Sequence, residues 1–291
     1  MAAADLRCAR GGGCGRREAD VHCRHSLTGF DESPQRLQGE ELVERTIGVD
    51  LAVGSRSTAA AEIRWSPDGA EAMAPKAGCG DEDLLELLSG LAPGERAGVD
   101  CPFGWPAAFV EAVAAHAGHQ PWPGRTGRAE HYARLRLRTT DRAADAVVRP
   151  LVGRGPLSVS MDKLGATAAR WAYLADQLAL GGRPVDRTGA GPMVEVYPAG
   201  ARAVWRLGST RSTEVLLGAA PWLRFEHGAR QIYEKNEHTF DALIAALVAR
   251  AAALGLTSTP RGDHEDRAAA VEGWMHLPLP GSLIRLDPSA P

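Results

Sequence analysis

Thr46-Ile47-Gly48-Val49-Asp50-Leu51-Ala52-Val53-Gly54-Ser55 is the stretch on which the reading of this chain turns. Ile47 and Val49 are β-branched and apolar, as a strand in the middle of a sheet requires. Asp50 then sets a carboxylate where the pattern asks for a hydrophobe, and a buried charge is costly unless something compensates it. The arrangement returns at Ala97-Gly98-Val99-Asp100-Cys101-Pro102 and at Met193-Val194-Glu195-Val196-Tyr197-Pro198. Three apolar strands thus each carry one acid at or near the carboxyl end. If the strands are neighbours the acids converge, and a divalent cation is the usual physical reason for acids to gather.

Working outward, Thr58 to Trp65 reads as a second strand, Ser66-Pro67-Asp68-Gly69 as a turn, and Glu71 to Pro75 as a third strand. Asp81 caps a helix through Leu91, after which Arg96 to Asp100 returns parallel to the first strand. Helices follow at Ala107–Ala117, Met161–Leu180, Ala199–Leu207 and Thr213–Leu217, and the strongest at His238–Leu254. The loop His119–Gly127 is placed to overhang a site, and Val271 to Met275 is a candidate closing strand. The sum is an α/β domain over residues 42–285. It has a mixed five-stranded sheet flanked by helices and a helical insertion, roughly Gly118 to Gly189, between strands four and five.

Residues 1–41 show no sustained apolar period and read as a disordered leader or a start codon placed too early. Cys8, Cys14, Cys23 and His25 match none of the short paired-ligand spacings of a zinc site. Five cysteines, three of them in that leader, argue against a disulfide framework, and the expected compartment is the cytoplasm. No apolar run reaches membrane-span length, so no membrane partner is expected. The net charge of −3 gives no global basic footprint, so a nucleic-acid partner needs a local patch. Arg134, Arg136, Arg138 and Arg142, beside Thr139, Thr140 and Asp141, could supply one; the plain alternative is a solvated face.

Asp241 falls in the first turn of the last long helix, three residues after His238. If that helix crosses the sheet at strands one and four, Asp241 joins Asp50 and Asp100, with Glu195 alongside. Hard oxygen ligands suit Mg²⁺ or Mn²⁺ better than zinc. Two such ions could drive in-line hydrolysis of a phosphodiester, with His238 as ligand or proton shuttle. Taken singly, each acid also has a structural explanation: a strand-end cap, or a partner for the helix dipole.

Gly48-Val49-Asp50-Leu51-Ala52, Val99-Asp100-Cys101-Pro102-Phe103-Gly104, Arg138-Thr139-Thr140-Asp141, Glu195-Val196-Tyr197-Pro198-Ala199, His238-Thr239-Phe240-Asp241-Ala242 and Glu272-Gly273-Trp274-Met275 resemble, in order, the motifs of the DUF429 family. That family is described as predicted nucleases of the ribonuclease H-like fold. The resemblance implies Asp50 on the first strand, Asp100 on the fourth, Asp241 on the closing helix and Glu195 on an acidic strand. Arg138 and Asp141 match the family's arginine–aspartate motif, here assigned to substrate binding. The expected substrate is a nucleic acid or a phosphorylated small molecule. Two other functions compete. One is an inert member that binds nucleic acid or protein. The other is a phosphotransferase of the sugar-kinase and actin type, whose first phosphate loop Asp50 to Thr58 resembles.

Overall fold

The computed structural model describes residues 44–124 and 126–289, which belong to one compact unit, Glu41–Pro291. The expected leader 1–41, with its three cysteines and His25, lies outside the described residues. Strands β1 (Arg45–Asp50), β2 (Ala59–Ser66) and β3 (Gly69–Ala72) form an antiparallel meander, and β4 (Lys76–Ala77) adds to β2. After α1 (Asp81–Ser89), β5 (Arg96–Asp100) pairs parallel to β1. Helices α2 (Ala107–Ala117), α3 (Arg128–Arg136), α4 (Thr139–Val152) and α5 (Gly165–Leu180) then precede β6 (Met193–Val196), which pairs parallel to β5. Next come α6 (Pro198–Val204), α7 (Thr213–Ala219), β7 (Leu223–Phe225), α8 (Ala229–Lys235), α9 (Glu237–Ala253), α10 (Gly262–Glu272) and β8 (Met275–His276).

The sheet runs β7-β3-β2-β1-β5-β6-β8, with β4 attached to β2. Five strands were expected, with a candidate closing strand after them, and eight are present among the described residues. The two that were not expected, β4 and β7, are two and three residues long, too short to carry a period-2 pattern. The closing strand also moves: Val271 and Glu272 end α10, and pairing begins at Met275. Among the described residues no helix is long and apolar enough to cross a membrane.

Alternation along the strands sorts side chains into two layers. Ile47, Val49, Ala97, Val99 and Met193 point to one face, where Leu84 and Leu88 of α1 and Trp171, Leu174 and Leu178 of α5 cover them. Ala61, Ile63, Val194 and Val196 point to the other face, against α9. Helix α9 is apolar nearly all round and buried from Thr239 to Ala251, as a helix enclosed by its own domain must be. It lies directly on the sheet because Gly48 and Gly98 have no side chain. A Cβ at Gly48 would fall 1.9 Å from the Ala242 carbonyl oxygen, and one at Gly98 2.4 Å from that of Ala245.

Candidate carboxylate site

Asp50 and Asp100 are register partners on adjacent parallel strands, so their backbones stand about 5 Å apart. Each lies two residues beyond a contact glycine, Gly48 or Gly98, and so shares that glycine's face. That face belongs to α9, whose first turns bring His238 and Asp241 over the strand ends. Asn236 caps the helix by accepting from the His238 amide at 2.9 Å. His238 Nδ1 then lies 2.7 Å from Asp50 Oδ2. Asp50, Asp100, Asp241 and His238 are brought together as the sequence suggested.

The cluster is electrostatically loaded. Burial pushes the Asp50 carboxyl up to about 6, with the Asp241 charge adding to the rise and the His238 hydrogen bond opposing it. Asp100 is raised well above its ordinary value, first by burial and then by the charges of Asp50, Asp241 and Glu195. Two arginines that the sequence reading did not single out face the same acids. Arg211 sets Nη2 2.5 Å and Nε 3.1 Å from Asp241 Oδ2, and its Nη1 lies 3.2 Å from Glu237. Arg202 Nε lies 3.7 Å from the other oxygen, Asp241 Oδ1. Arg202 shares the mostly apolar stretch Ala199–Leu207 with Arg206, so its charge alone did not single it out. Arg211 sits in a turn and left no trace in the sequence.

Glu195, Arg138 and Asp141 are put to a different use. Glu195 is in register with Val99, and so points to the α5 face, away from Asp50 and Asp100. There Arg138 grips it with two bonds, Nη2 to Oε1 at 2.6 Å and Nη1 to Oε2 at 2.9 Å. Asp141, in the first turn of α4, accepts Nε at 3.2 Å and Nη2 at 2.8 Å. The last donor of Nη1 goes to the Glu272 carbonyl at 3.1 Å. All five guanidinium N–H groups are therefore used, in a side chain only 1% exposed. The assignment of Arg138 and Asp141 to substrate, and of Glu195 to a metal, gives way to a buried clamp. Glu195 also accepts from the Phe103 amide at 2.8 Å, and the Glu272 carboxylate from the amides of Ala107 and Thr139. The clamp thereby fastens the turn that follows Asp100. Arg134, Arg136 and Arg142 are exposed, as a solvated face would be.

The loop Leu51–Thr58 is closed on itself: Thr58 Oγ1 accepts from the Ala52 amide and donates to the Gly54 carbonyl. Arg170 of α5 pins it by donating to the Ala52 carbonyl and to Thr58 Oγ1, each at 2.7 Å. The His119–Gly127 loop lines a cavity of about 320 Å³ with Glu111, Glu130 and Arg134, which does not include the carboxylates.

Do the residues suit a hard divalent ion? Among the described residues no three acidic, His or Cys side chains stand at metal-holding spacing, and like charges without a counter-ion do hold apart. Two observations favour the fit. The Asp100 carboxylate makes no hydrogen bond among the described residues, although it stands beside Asp50 at the strand ends. Asp241 Oδ1 is buried with no hydrogen-bond partner. Unpartnered carboxylate oxygens are the donor set that Mg²⁺ or Mn²⁺ takes.

A family model described as "Protein of unknown function (DUF429)" matches residues 48–265. No curated protein and no solved structure matches the chain.

Proposed function

We propose that this chain, which belongs to the DUF429 family, is a metal-dependent phosphodiesterase of ribonuclease H-like architecture whose cation ligands are Asp50, Asp100 and Asp241. The reading is carried by one observation. Asp50 and Asp100 stand side by side at the ends of neighbouring parallel strands, and α9 lays Asp241 across them. The architecture is supported by the order β3-β2-β1-β5-β6, with β1 central, β2 antiparallel to it and β5 and β6 parallel.

Bound among these carboxylates, Mg²⁺ or Mn²⁺ would supply Lewis-acid stabilisation to a phosphoryl oxygen and to an attacking water. The chain's own residues do the rest. Asp50 orients the His238 ring through Nδ1, leaving the half-exposed edge of the ring to take up or deliver a proton. The Arg138–Glu195 clamp holds the Asp100 turn in place. The phosphotransferase alternative is weakened by a Leu51–Thr58 loop whose Ala52 amide is already bonded inside the loop.

The test is a calorimetric and thermal-shift titration with Mg²⁺ and Mn²⁺, run on the wild type and on Asp100→Asn, together with labelled DNA and RNA oligonucleotides. Asp100→Asn breaks no hydrogen bond, so it isolates the ligand role. Expected are metal binding and oligonucleotide cleavage in the wild type, both lost in the variant. Binding unchanged by Asp100→Asn would overturn the site, and binding without cleavage of any oligonucleotide would move the substrate to small phosphodiesters. No metal binding at all would favour the inert, partner-binding alternative.

A further inference from the structure

We infer that Arg202 and Arg211 form a phosphate-binding subsite at the edge of the carboxylate cluster, which opens when a divalent cation takes over Asp241. The inference rests on the proposed cation site and adds to it the group that receives the substrate's charge.

The geometry around Asp241 is uneven. One oxygen, Oδ2, is held twice by Arg211. The other, Oδ1, faces Arg202 Nε across 3.7 Å, too far for a hydrogen bond, and both atoms are buried and unpartnered. Arg202 is only 7% exposed at its side chain, and burial pulls its pKa down, so its guanidinium is poorly compensated where it stands. A buried arginine N–H left without a hydrogen bond beside such a cluster calls for an acceptor that the folded chain does not itself supply. Arg202 also donates Nη1 to the Ser209 carbonyl at 3.0 Å and so steadies the turn that carries Arg211. Arg211 is one-third exposed and reaches the site from solvent.

Charge gives the direction of coupling. The carboxylates of Asp50, Asp100, Asp241 and Glu237 outnumber the guanidiniums of Arg202 and Arg211 by two formal charges, so the ionised cluster repels a phosphate. One divalent ion would cancel that excess and remove the repulsion. With an ion held by Asp241, the carboxylate would hold Arg211 less tightly, and the guanidinium fork would be available to the non-bridging oxygens of a phosphate. Glu237, the other partner of Arg211, is 60% exposed and holds it only weakly. Cation and phosphate therefore bind with positive cooperativity, and by linkage each tightens the other by the same factor.

The experiment is isothermal titration with inorganic phosphate, with and without saturating Mg²⁺, on the wild type, Arg211→Gln and Arg211→Lys. Mg²⁺ is titrated alone into each protein in parallel. For the wild type, Mg²⁺ should strengthen phosphate binding by about tenfold or more. Arg211→Gln should lose about tenfold in phosphate affinity with Mg²⁺ present, yet bind Mg²⁺ at least as tightly, because a competitor for Asp241 is gone. Arg211→Lys, with the charge but not the fork, should fall between. Phosphate binding by Arg211→Gln equal to wild type would overturn the subsite while leaving the cation site standing. Loss of Mg²⁺ binding together with a fall in Tm would overturn it as well, by making Arg211 a structural tie. A wild type that binds no Mg²⁺ would overturn the cation site and the coupling, and the ion-free phosphate titration would then test the arginine pair by itself.

Discussion

Asp50 makes a prediction about stability that needs no knowledge of the substrate. Its side chain is 15% exposed, and its carboxyl is pushed from the ordinary 3.8 up to about 6, by burial first and then by Asp241. A folded state that holds a proton more tightly than the unfolded chain is favoured at low pH. The contribution is full below about pH 4 and is lost as pH rises through about 6. A shift of about two pKa units corresponds to about 3 kcal/mol at pH 7. For a domain of this size that is about 6–12 °C in Tm. The measurement is urea unfolding followed by circular dichroism from pH 4 to 7.5, with chelator present, on the wild type and Asp50→Asn. Asp50→Asn removes this titration together with the rise that the Asp50 charge imposes on Asp100, and it also breaks the His238 bond, so the difference between the curves reports the coupled cluster rather than Asp50 by itself. The wild type should lose about 3 kcal/mol relative to the variant between pH 4 and 7, and saturating Mg²⁺ at pH 7 should restore it. Parallel pH profiles for the two proteins would refute the account of the cluster.

Two further outcomes follow from the packing. Glu195→Gln removes the counter-charge from a guanidinium that is 1% exposed, and should destabilise the fold by about 3–5 kcal/mol while Mg²⁺ affinity in the surviving folded protein stays within about twofold. A variant that keeps its Tm and loses the metal would return Glu195 to the cation site. Gly48→Ala drives a Cβ to 1.9 Å from the Ala242 carbonyl and 2.3 Å from the Ala246 amide, both backbone of a buried helix. It should lower stability by more than about 4 kcal/mol or yield insoluble protein, as judged by refolding yield, and an unchanged Tm would contradict the close approach of α9.

What could be read from the chain depended on how far each feature is written locally. The strands holding Asp50, Asp100 and Glu195 are apolar, β-branched and ended by an acid or a proline, and α2 and α9 are long runs of apolar, helix-forming residues. All of these appear where the residues placed them. Helix α10 escaped because Gly262–Glu272 is largely charged and exposed, and α3 because arginines interrupt its apolar face. The harder matter was which side of the sheet each acid faces. Asp50 and Asp100 follow their contact glycines by two residues, so one parity serves both. Glu195 follows Met193 by two, and Met193 faces α5, so parity alone sends it to the opposite layer. That difference is legible only once the register between β5 and β6 is known, and register is a long-range property. The role of Arg138 was hidden for the same reason: its partners Glu195 and Glu272 are 57 and 134 residues away.

The order of strands in the sheet also bears on how this protein comes off the ribosome. Both flanks of the early sheet are finished by late residues: β7 closes on β3, and β8 closes on β6. The helix that fills the groove over Gly48 and Gly98 also comes late, at Glu237–Ala253. A nascent chain that has just completed β5 must emit about 175 more residues before β8 can pair, roughly 10–35 s at ordinary elongation rates. Throughout that interval an apolar sheet surface and two open strand edges face solvent. Polypeptides released before about residue 253 lack the element that covers this surface, which makes premature termination a source of aggregation rather than of partly active fragments.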